Sequence, residues 1–227
     1  MYQGKIMLVT GAARGIGKVI ANYFSNLGVN VIVTYCNNKI DNGYCLDLTN
    51  EDSIKELAET IKDKYGKIDY LVNNASISLD SYIFDKTKEE FMKVLETNVV
   101  GTFLMMKYFD SIVDGYIFNI SSTDGIDTGS IYSIDYNASK AGINSLTKTF
   151  SLASSNRIIS ICPNWVDTDS TRDMDKDYLN SELKRIKQDK LIKEETIPKV
   201  IDECIKKEVK SGSIIRIEGD EDVRGIN

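Results

Sequence analysis

Three glycines close to the start of the chain limit its fold more than any other feature. Lys5–Phe24 reads KIMLVTGAARGIGKVIANYF. The apolar run Ile6–Val9 ends at Thr10. Gly11, Gly15 and Gly17 follow, and then Ile16, Val19, Ile20, Tyr23, Phe24 and Leu27 recur at helical spacing. This is strand, turn and helix, the first half of a βαβ unit. Gly11 lets the chain leave the strand through a conformation that a Cβ would obstruct. Gly15 lets backbone approach a ligand phosphate closely, and Gly17 lets the helix pack tightly on the strand. The helix N-terminus offers free N–H groups and partial positive charge to a pyrophosphate. An ordinary glycine-rich turn could hold the same residues. Its place between a clear strand and a clear helix favours nucleotide binding instead.

The rest of the chain continues the alternation. A second strand is expected over Val29–Tyr35 and a short third over Tyr44–Leu46. Only Cys36–Gly43 separate them, too few residues for a crossover helix. The third strand should therefore be a stub at the sheet edge, with its usual helix missing. Thr49 or Asn50 caps a helix that Gly66 stops after Tyr65. A fourth strand, Ile68–Val72, leads to Asn73, Asn74 and Ala75. Thr87–Glu90 forms a capping box that opens a long helix to about Phe109. A fifth strand is expected over Tyr116–Ile120, a helix over Asp135–Ala153 and a sixth strand over Ile158–Cys162. Helices over Asp175–Gln188 and Glu195–Lys206 and a last strand over Ser213–Ile217 complete the series. With no linker or repeat, residues 1–227 read as one domain, an α/β fold with a Rossmann-type, doubly wound, mainly parallel sheet.

Ligands of such sheets lie at the carboxyl ends of the strands. Asp47, Asn74, Ser122 and the segment Pro163–Thr168 fall there. Each alone would pass as turn chemistry, since Asn, Asp and Ser favour turns. The chain has no histidine, so proton transfer must come from another group. Tyr136 and Lys140 stand at i and i+4 on one helix face. A free phenol titrates at about 10 and exchanges protons poorly at neutral pH, but an adjacent ammonium lowers that value. The pair can serve as an acid without histidine, although surface Tyr–Lys pairs are common. Tyr132 lacks the partner, because its i+4 position is Tyr136. A net charge of −6 argues against nucleic acid as the main partner. No apolar run reaches membrane-spanning length and no signal-peptide pattern opens the chain. The four cysteines form no Cys-x-x-Cys pair. These features lead us to expect a cytoplasmic protein with reduced thiols and no membrane partner.

These motifs, in this order, resemble the short-chain dehydrogenase/reductase family, nearest to its 3-oxoacyl-(acyl-carrier-protein) reductase branch. The resemblance rests on Thr10 with Gly11-x-x-x-Gly15-x-Gly17, Asp47, Asn73-Asn74-Ala75, Asn98, Ser122 and Tyr136-x-x-x-Lys140. Pro163-x-x-Val166-x-Thr168 and Ser211-Gly212…Glu218-Gly219 complete it. It implies a carbonyl/alcohol oxidoreductase with a nicotinamide cofactor. Tyr136 would be the acid that protonates the substrate oxygen, and Lys140 would lower its pKa and hold the nicotinamide ribose. Ser122, preferred to Ser121 because Gly125 follows at the family's spacing, would bond the carbonyl oxygen. Asn98 would hold a water on the proton path. Gly11, Arg14, Gly15, Ile16 and Gly17 would line the cofactor. Asp47 would bind the adenine amine beside Leu48. Asn74 and Ala75 would lie along the dinucleotide, Pro163 and Val166 would contact it, and Thr168 would bind its carboxamide. No metal is implied. Ser76 and Asn164 stand where the family usually has glycine, and the left-handed tolerance of Asn would soften the second change. Ser154–Asn156 is short where related acyl-carrier reductases offer a basic residue to the carrier protein, so that partner is in doubt.

The leading expectation is an NADP(H)-dependent reductase of ketones or 3-oxoacyl carbonyls. An NAD-linked alcohol or sugar dehydrogenase and a non-catalytic dinucleotide-binding regulator are the alternatives. Thr34–Asn38 ends the second strand without an acid, and Arg14 precedes Gly15, so NADP(H) is favoured over NAD(H). The polar segment 169–193 should form a lid over the substrate, with Tyr178, Leu179 and Leu183 its main apolar members. Ala138, Ser139, Ala141, Gly142 and Ser145 permit close helix packing, and family members often pair such helices. A homodimer or homotetramer is expected.

Overall fold

Met7 and Val9 of the first strand enter one buried apolar cluster, while Leu8 enters another with Ile6 packed beside it. A strand buried on both faces needs helices on both sides of its sheet. The computed structural model describes residues 1–226 and has that arrangement. Its strands are β1 (Ile6–Val9), β2 (Asn30–Tyr35), β3 (Tyr44–Cys45), β4 (Ile68–Asn73), β5 (Val113–Ile120), β6 (Arg157–Pro163), β7 (Ile214–Ile217) and β8 (Val223–Arg224). They form one sheet in the order β3-β2-β1-β4-β5-β6-β7-β8. Neighbours are parallel from β3 to β7, and only β8 runs antiparallel. The order reverses direction between β1 and β4, which opens a crevice at their carboxyl ends.

The helices are α1 (Gly15–Asn26), α2 (Glu51–Tyr65), α3 (Lys88–Leu95), α4 (Gly101–Phe109), α5 (Ile134–Phe150), α6 (Asp169–Arg172), α7 (Lys176–Arg185) and α8 (Thr196–Lys206). Ile20 and Phe24 of α1 join Ile197, Val200 and Ile201 of α8 in the first cluster. Ile54, Leu57 and Ile61 of α2 join Met105 and Phe109 of α4 in the second. Each such fully buried side chain contributes about 1.5–3 kcal/mol of transfer free energy. None of the helices is long and apolar enough, among the described residues, to cross a membrane.

Local signals set the boundaries. The Asn50 side chain accepts from Asp52 N at 3.0 Å and Ser53 N at 3.3 Å, and Gly66 at φ +71° ends α2. Thr87 and Glu90 cap α3 reciprocally. The long helix expected after them is interrupted, because Glu96–Val100 forms a π-helical turn between α3 and α4. Asn98 lies in that turn and directs its amide sideways, a common setting for functional π-turns. β5 starts at Val113 rather than Tyr116. The intervening Asp114-Gly115 looks like a turn, yet a side chain on Gly115 would stand 2.6 Å from Asp69 O of the neighbouring strand. The glycine serves strand packing. Residues 36–43 form bends and a turn, with Asn42 at φ +60°. The one-turn α6 and two-residue β8 are too short to show periodicity in the sequence.

Candidate active site

The glycine turn closes on the loop after β4. Gly11 and Gly15 have φ of +65° and +53°, a region that favours glycine. A Cβ on Gly11 would lie 2.9 Å from Ala75 Cα, whereas one on Gly15 would meet nothing within 4 Å. A Cβ on Gly17 would sit 2.4 Å from Asn74 Nδ2 and 2.7 Å from Gly11 O. Gly17 therefore admits the Asn74 side chain, not the strand as the sequence reading had it. Asn74 Nδ2 donates to Thr10 O at 2.9 Å and Gly11 O at 3.2 Å. The amides of Asn74 and Ala75 both donate to Thr10 Oγ1 at 3.0 Å. These bonds fix the turn to the end of β4.

The turn borders a cavity of about 580 Å³, into which Gly11, Arg14, Gly15 and Ile16 face. Asp47, Leu48, Asn74 and Ala75 also line it, as do Tyr35, Cys36, Asn37, Asn38 and Thr168. Arg14 precedes α1 as its N-cap residue, and its side chain makes no cap bond to the helix. Asp47 Oδ1 accepts from Thr49 N at 2.9 Å and Thr49 Oγ1 at 2.7 Å. Thr168 caps α6 by accepting from Thr171 N at 3.3 Å. Asp47, Asn74 and Thr168 thus hold local backbone while lining the cavity. The positions of Ser76 and Asn164 carry no left-handed strain, since neither has positive φ. Asn164 Oδ1 instead accepts from Thr123 Oγ1.

An adjoining cavity of about 500 Å³ brings together Ser122, Tyr136, Lys140, Pro163, Val166 and Thr168. Ser121 lines it too, and its Oγ donates to Lys140 O at 2.9 Å. Ser122 Oγ accepts from Asp124 N at 3.1 Å and stands 3.5 Å from Pro163 O. Gly125 allows this turn to lie on α5, since a Cβ there would come 2.4 Å from the Lys140 carbonyl carbon. Lys140 is 1% exposed, donates to Ile120 O at 2.8 Å and has Nζ 5.1 Å from the centre of the Tyr136 ring. Burial pulls its pKa down to about 8. Tyr136 moves the other way. Burial raises its pKa, and the charges of Asp124 and Asp80 raise it further. The lowering expected from Lys140 is absent, since burial is the largest cause and the remaining ones are negative charges that raise it too.

Asn98 is fully buried. Its Oδ1 accepts from Ile77 N at 2.9 Å, and its Nδ2 donates to Ile77 O at 2.8 Å and Ser139 Oγ at 3.0 Å. The side chain is thus a clamp between the loop after β4 and the face of α5 that carries Ser139, with both amide hydrogens used. The water-holding role expected for it does not come from a free amide.

Several residues of this cavity escaped the sequence reading. Asp80, Asp124, Ser130, Ser133 and Trp165 all line it. Asp124 and Trp165 lay inside motifs already marked, between Ser122 and Gly125 and between Pro163 and Val166. Of the 169–193 segment, Ser170, Thr171 and Met174 reach the cavity, whereas Tyr178, Leu179 and Leu183 do not line it. Tyr178 packs edge-on against Tyr132, with ring centres 5.7 Å apart. A buried ion pair, Lys86 Nζ to Asp135 Oδ2 at 2.9 Å, ties the loop carrying Asp80 to the start of α5.

A profile of the family described as short chain dehydrogenase matches residues 5–179. Over 221 residues the sequence is 34% identical to 3-oxoacyl-(acyl-carrier-protein) reductase FabG of Thermotoga maritima, spanning 88% of this chain and 89% of that one. It is 31% identical over 194 residues to the protein of the same name from Escherichia coli, spanning 78% and 79%. An aldohexose dehydrogenase of Thermoplasma acidophilum, solved in ligand-free form, shares the fold with a TM-score of 0.84. Its identity is 24%, over 95% of this chain and 92% of that one.

Proposed function

Because the chain belongs to the short-chain dehydrogenase/reductase family of oxidoreductases, we propose that it reduces a ketone or 3-oxoacyl carbonyl to an alcohol with NADPH. The observation that carries this reading is the meeting of Ser122, Tyr136 and Lys140 in one cavity, adjoining the cavity of the glycine turn. The residues present fit a dinucleotide, because Gly11, Gly15 and Gly17 leave a cradle that side chains would fill or strain. Gly11, Arg14, Gly15, Ile16, Asp47, Leu48, Asn74 and Ala75 would hold its adenosine and phosphate parts. Lys140, Pro163, Val166 and Thr168 would hold the nicotinamide end. The bound nicotinamide supplies the hydride.

The chain's own residues handle the oxygen. Ser122 donates a hydrogen bond to the carbonyl and orients it. The Tyr136 phenol keeps its proton at neutral pH and delivers it to the oxygen as negative charge builds there. Lys140 stabilises the charge left on Tyr136 from across the ring. Asn98 positions this set by clamping Ser139, the residue before Lys140, to Ile77. Exposed Val100, Phe103 and Leu152, and the exposed small residues Ala138, Ala141 and Ser145 of α5, would be covered in a homodimer or homotetramer.

NADPH is favoured by charge. The five residues at the end of β2 that line the cofactor cavity, Thr34–Asn38, carry no carboxylate, and the exposed Arg14 lines the same cavity. A guanidinium can grip the 2′-phosphate with two hydrogen bonds. The test is a spectrophotometric comparison of both cofactors on one ketone. NADPH should give at least about a tenfold higher kcat/KM, or 1.4 kcal/mol, and Arg14→Ala should remove most of that margin. Equal or better turnover with NADH would reverse the assignment.

A further inference from the structure

We infer that the substrate carries hydroxyl or ammonium groups beside its reacting carbonyl and no anionic group there, with Asp124 and Asp80 as the residues that select it. This rests on the reading of the cavity as a carbonyl-reducing site. Asp124 lies two residues after Ser122, and Asp80 lies on the loop after β4. Both line the cavity that holds Tyr136. They come from different parts of the chain, and both are near enough for their charge to be felt at the Tyr136 phenol.

Their partners are neutral. Asp124 Oδ1 accepts from Thr128 Oγ1 at 3.0 Å; burial raises its pKa, and the Thr128 and Ser122 hydroxyls lower it in part. Asp80 Oδ1 accepts from Ser78 Oγ at 2.8 Å and Ser133 Oγ at 3.0 Å. Lys140 and Arg185 both share a field with Asp124, but neither pairs with it, and the Arg185 guanidinium is committed elsewhere. It donates to Glu182 Oε2 and to Thr128 O, each at 2.8 Å. Among the described residues, the cations lining the cavity are Arg14 and Lys140. Arg14 also faces the cofactor cavity, and Lys140 Nζ donates to Ile120 O.

An ionised carboxylate only accepts hydrogen bonds. Two of them without an ion-pair partner attract hydroxyl and ammonium donors and repel carboxylate or phosphate. Neither gives a neutral, donor-free acyl chain anything to bond. A substrate with donors next to its carbonyl can therefore be turned so that the carbonyl meets Ser122 and Tyr136 while its neighbours meet Asp124 and Asp80.

The test uses the enzyme with NADPH and five small ketones: dihydroxyacetone, aminoacetone, 2-butanone, acetoacetate and the acetoacetyl thioester of N-acetylcysteamine. Dihydroxyacetone or aminoacetone should exceed the three others in kcat/KM by at least about tenfold. Asp124→Asn keeps an oxygen for Thr128 but removes the charge. It should cut the aminoacetone rate more than the dihydroxyacetone rate and raise the acetoacetate rate. The two arms thereby separate ammonium from hydroxyl recognition. Better turnover of the thioester or of 2-butanone by the wild type would overturn the inference and leave the carbonyl reductase standing. So would an order of substrates that neither Asp124→Asn nor Asp80→Asn changes. If no ketone is reduced, the reductase reading itself fails. The inference is then decided by calorimetric binding of the same five probes, where the same order supports it and no order overturns it.

Discussion

The cofactor end and the substrate end of the crevice use their polar side chains in opposite ways. At the cofactor end three of them hold backbone. Thr10 Oγ1 receives two amides, Asn74 Nδ2 reaches two carbonyls, and Asp47 closes a turn with Thr49. At the substrate end Asp80 and Asp124 meet only neutral hydroxyls, and the Tyr136 phenol stays protonated beside a lysine of lowered pKa. One end is a frame whose shape is its function. The other keeps charge available for a ligand. Substitutions should therefore act through structure and affinity at the first end, and through rate, selectivity and pH dependence at the second.

The largest effect should come from Tyr136→Phe, which keeps the ring and removes the proton. General acid catalysis is worth about 10²–10⁴-fold, and kcat should fall by that much with cofactor affinity unchanged. Near wild-type turnover in this variant would end the distinction between the two regions as drawn. The next effect tests whether the substrate end has a frame of its own. Lys86 and Asp135 have side chains 3% and 0% exposed, and the pair pins the Asp80 loop to α5. Lys86→Met leaves Asp135 buried and uncompensated, a loss of about 3–5 kcal/mol. Thermal unfolding should show it, and Asp135→Asn added to Lys86→Met should recover part. A lone Lys86→Met that melts like the wild type would mean that the pair does not anchor the loop.

The contrast also explains what could be read in advance. Most of the strands, the Thr87 capping box, the glycine turn and the i, i+4 placing of Tyr136 and Lys140 follow from local rules of periodicity, caps and spacing, and the choice of Ser122 from the family's spacing. The π-turn at Asn98 does not, since it depends on Ile77 and Ser139, which lie 21 and 41 residues away. Gly17 was assigned to helix–strand packing because its neighbour, Asn74, approaches only through the fold. The pKa of Tyr136 was expected to fall because Lys140 is visible at i+4 in the sequence. Burial and the charge of Asp80 arise from tertiary structure. Asp124 was overlooked for a different reason. An aspartate in a loop after a strand usually means a turn, and nothing local marks it as facing a cavity.

Gly17→Ala should act on the frame. Its Cβ would lie 2.4 Å from Asn74 Nδ2, so the Asn74 bonds to Thr10 O and Gly11 O must give way. Overpacking of this kind costs about 1–3 kcal/mol. For a chain of this size the melting temperature should drop by roughly 2–4 °C per kcal/mol. Cofactor titration should show weaker binding, with kcat at saturating cofactor little changed. A fall in kcat with unaltered affinity would blur the two ends.

The smallest effect should be a shift in pH dependence for Asp124→Asn. The charge of Asp124 raises the pKa of Tyr136 and also that of Lys140, against the burial that pulls Lys140 down to about 8. Reduction needs the phenol protonated and the ammonium charged, so the rate falls as pH rises through the values of either group. Lys140 places that limb near pH 8. Removing a negative charge disfavours the protonated form of both groups, so both pKa values move down and the alkaline limb of kcat/KM moves to lower pH. The change at any one pH should stay below about tenfold, the factor that one pKa unit represents. The measurement is a pH profile from 6 to 10 on an uncharged ketone (range chosen to bracket the limb at about one to two units on either side). A limb that stays in place or moves upward would show that Asp124 is screened from Tyr136 and Lys140. Asp124 would then belong with the frame residues instead of the ligand-facing ones.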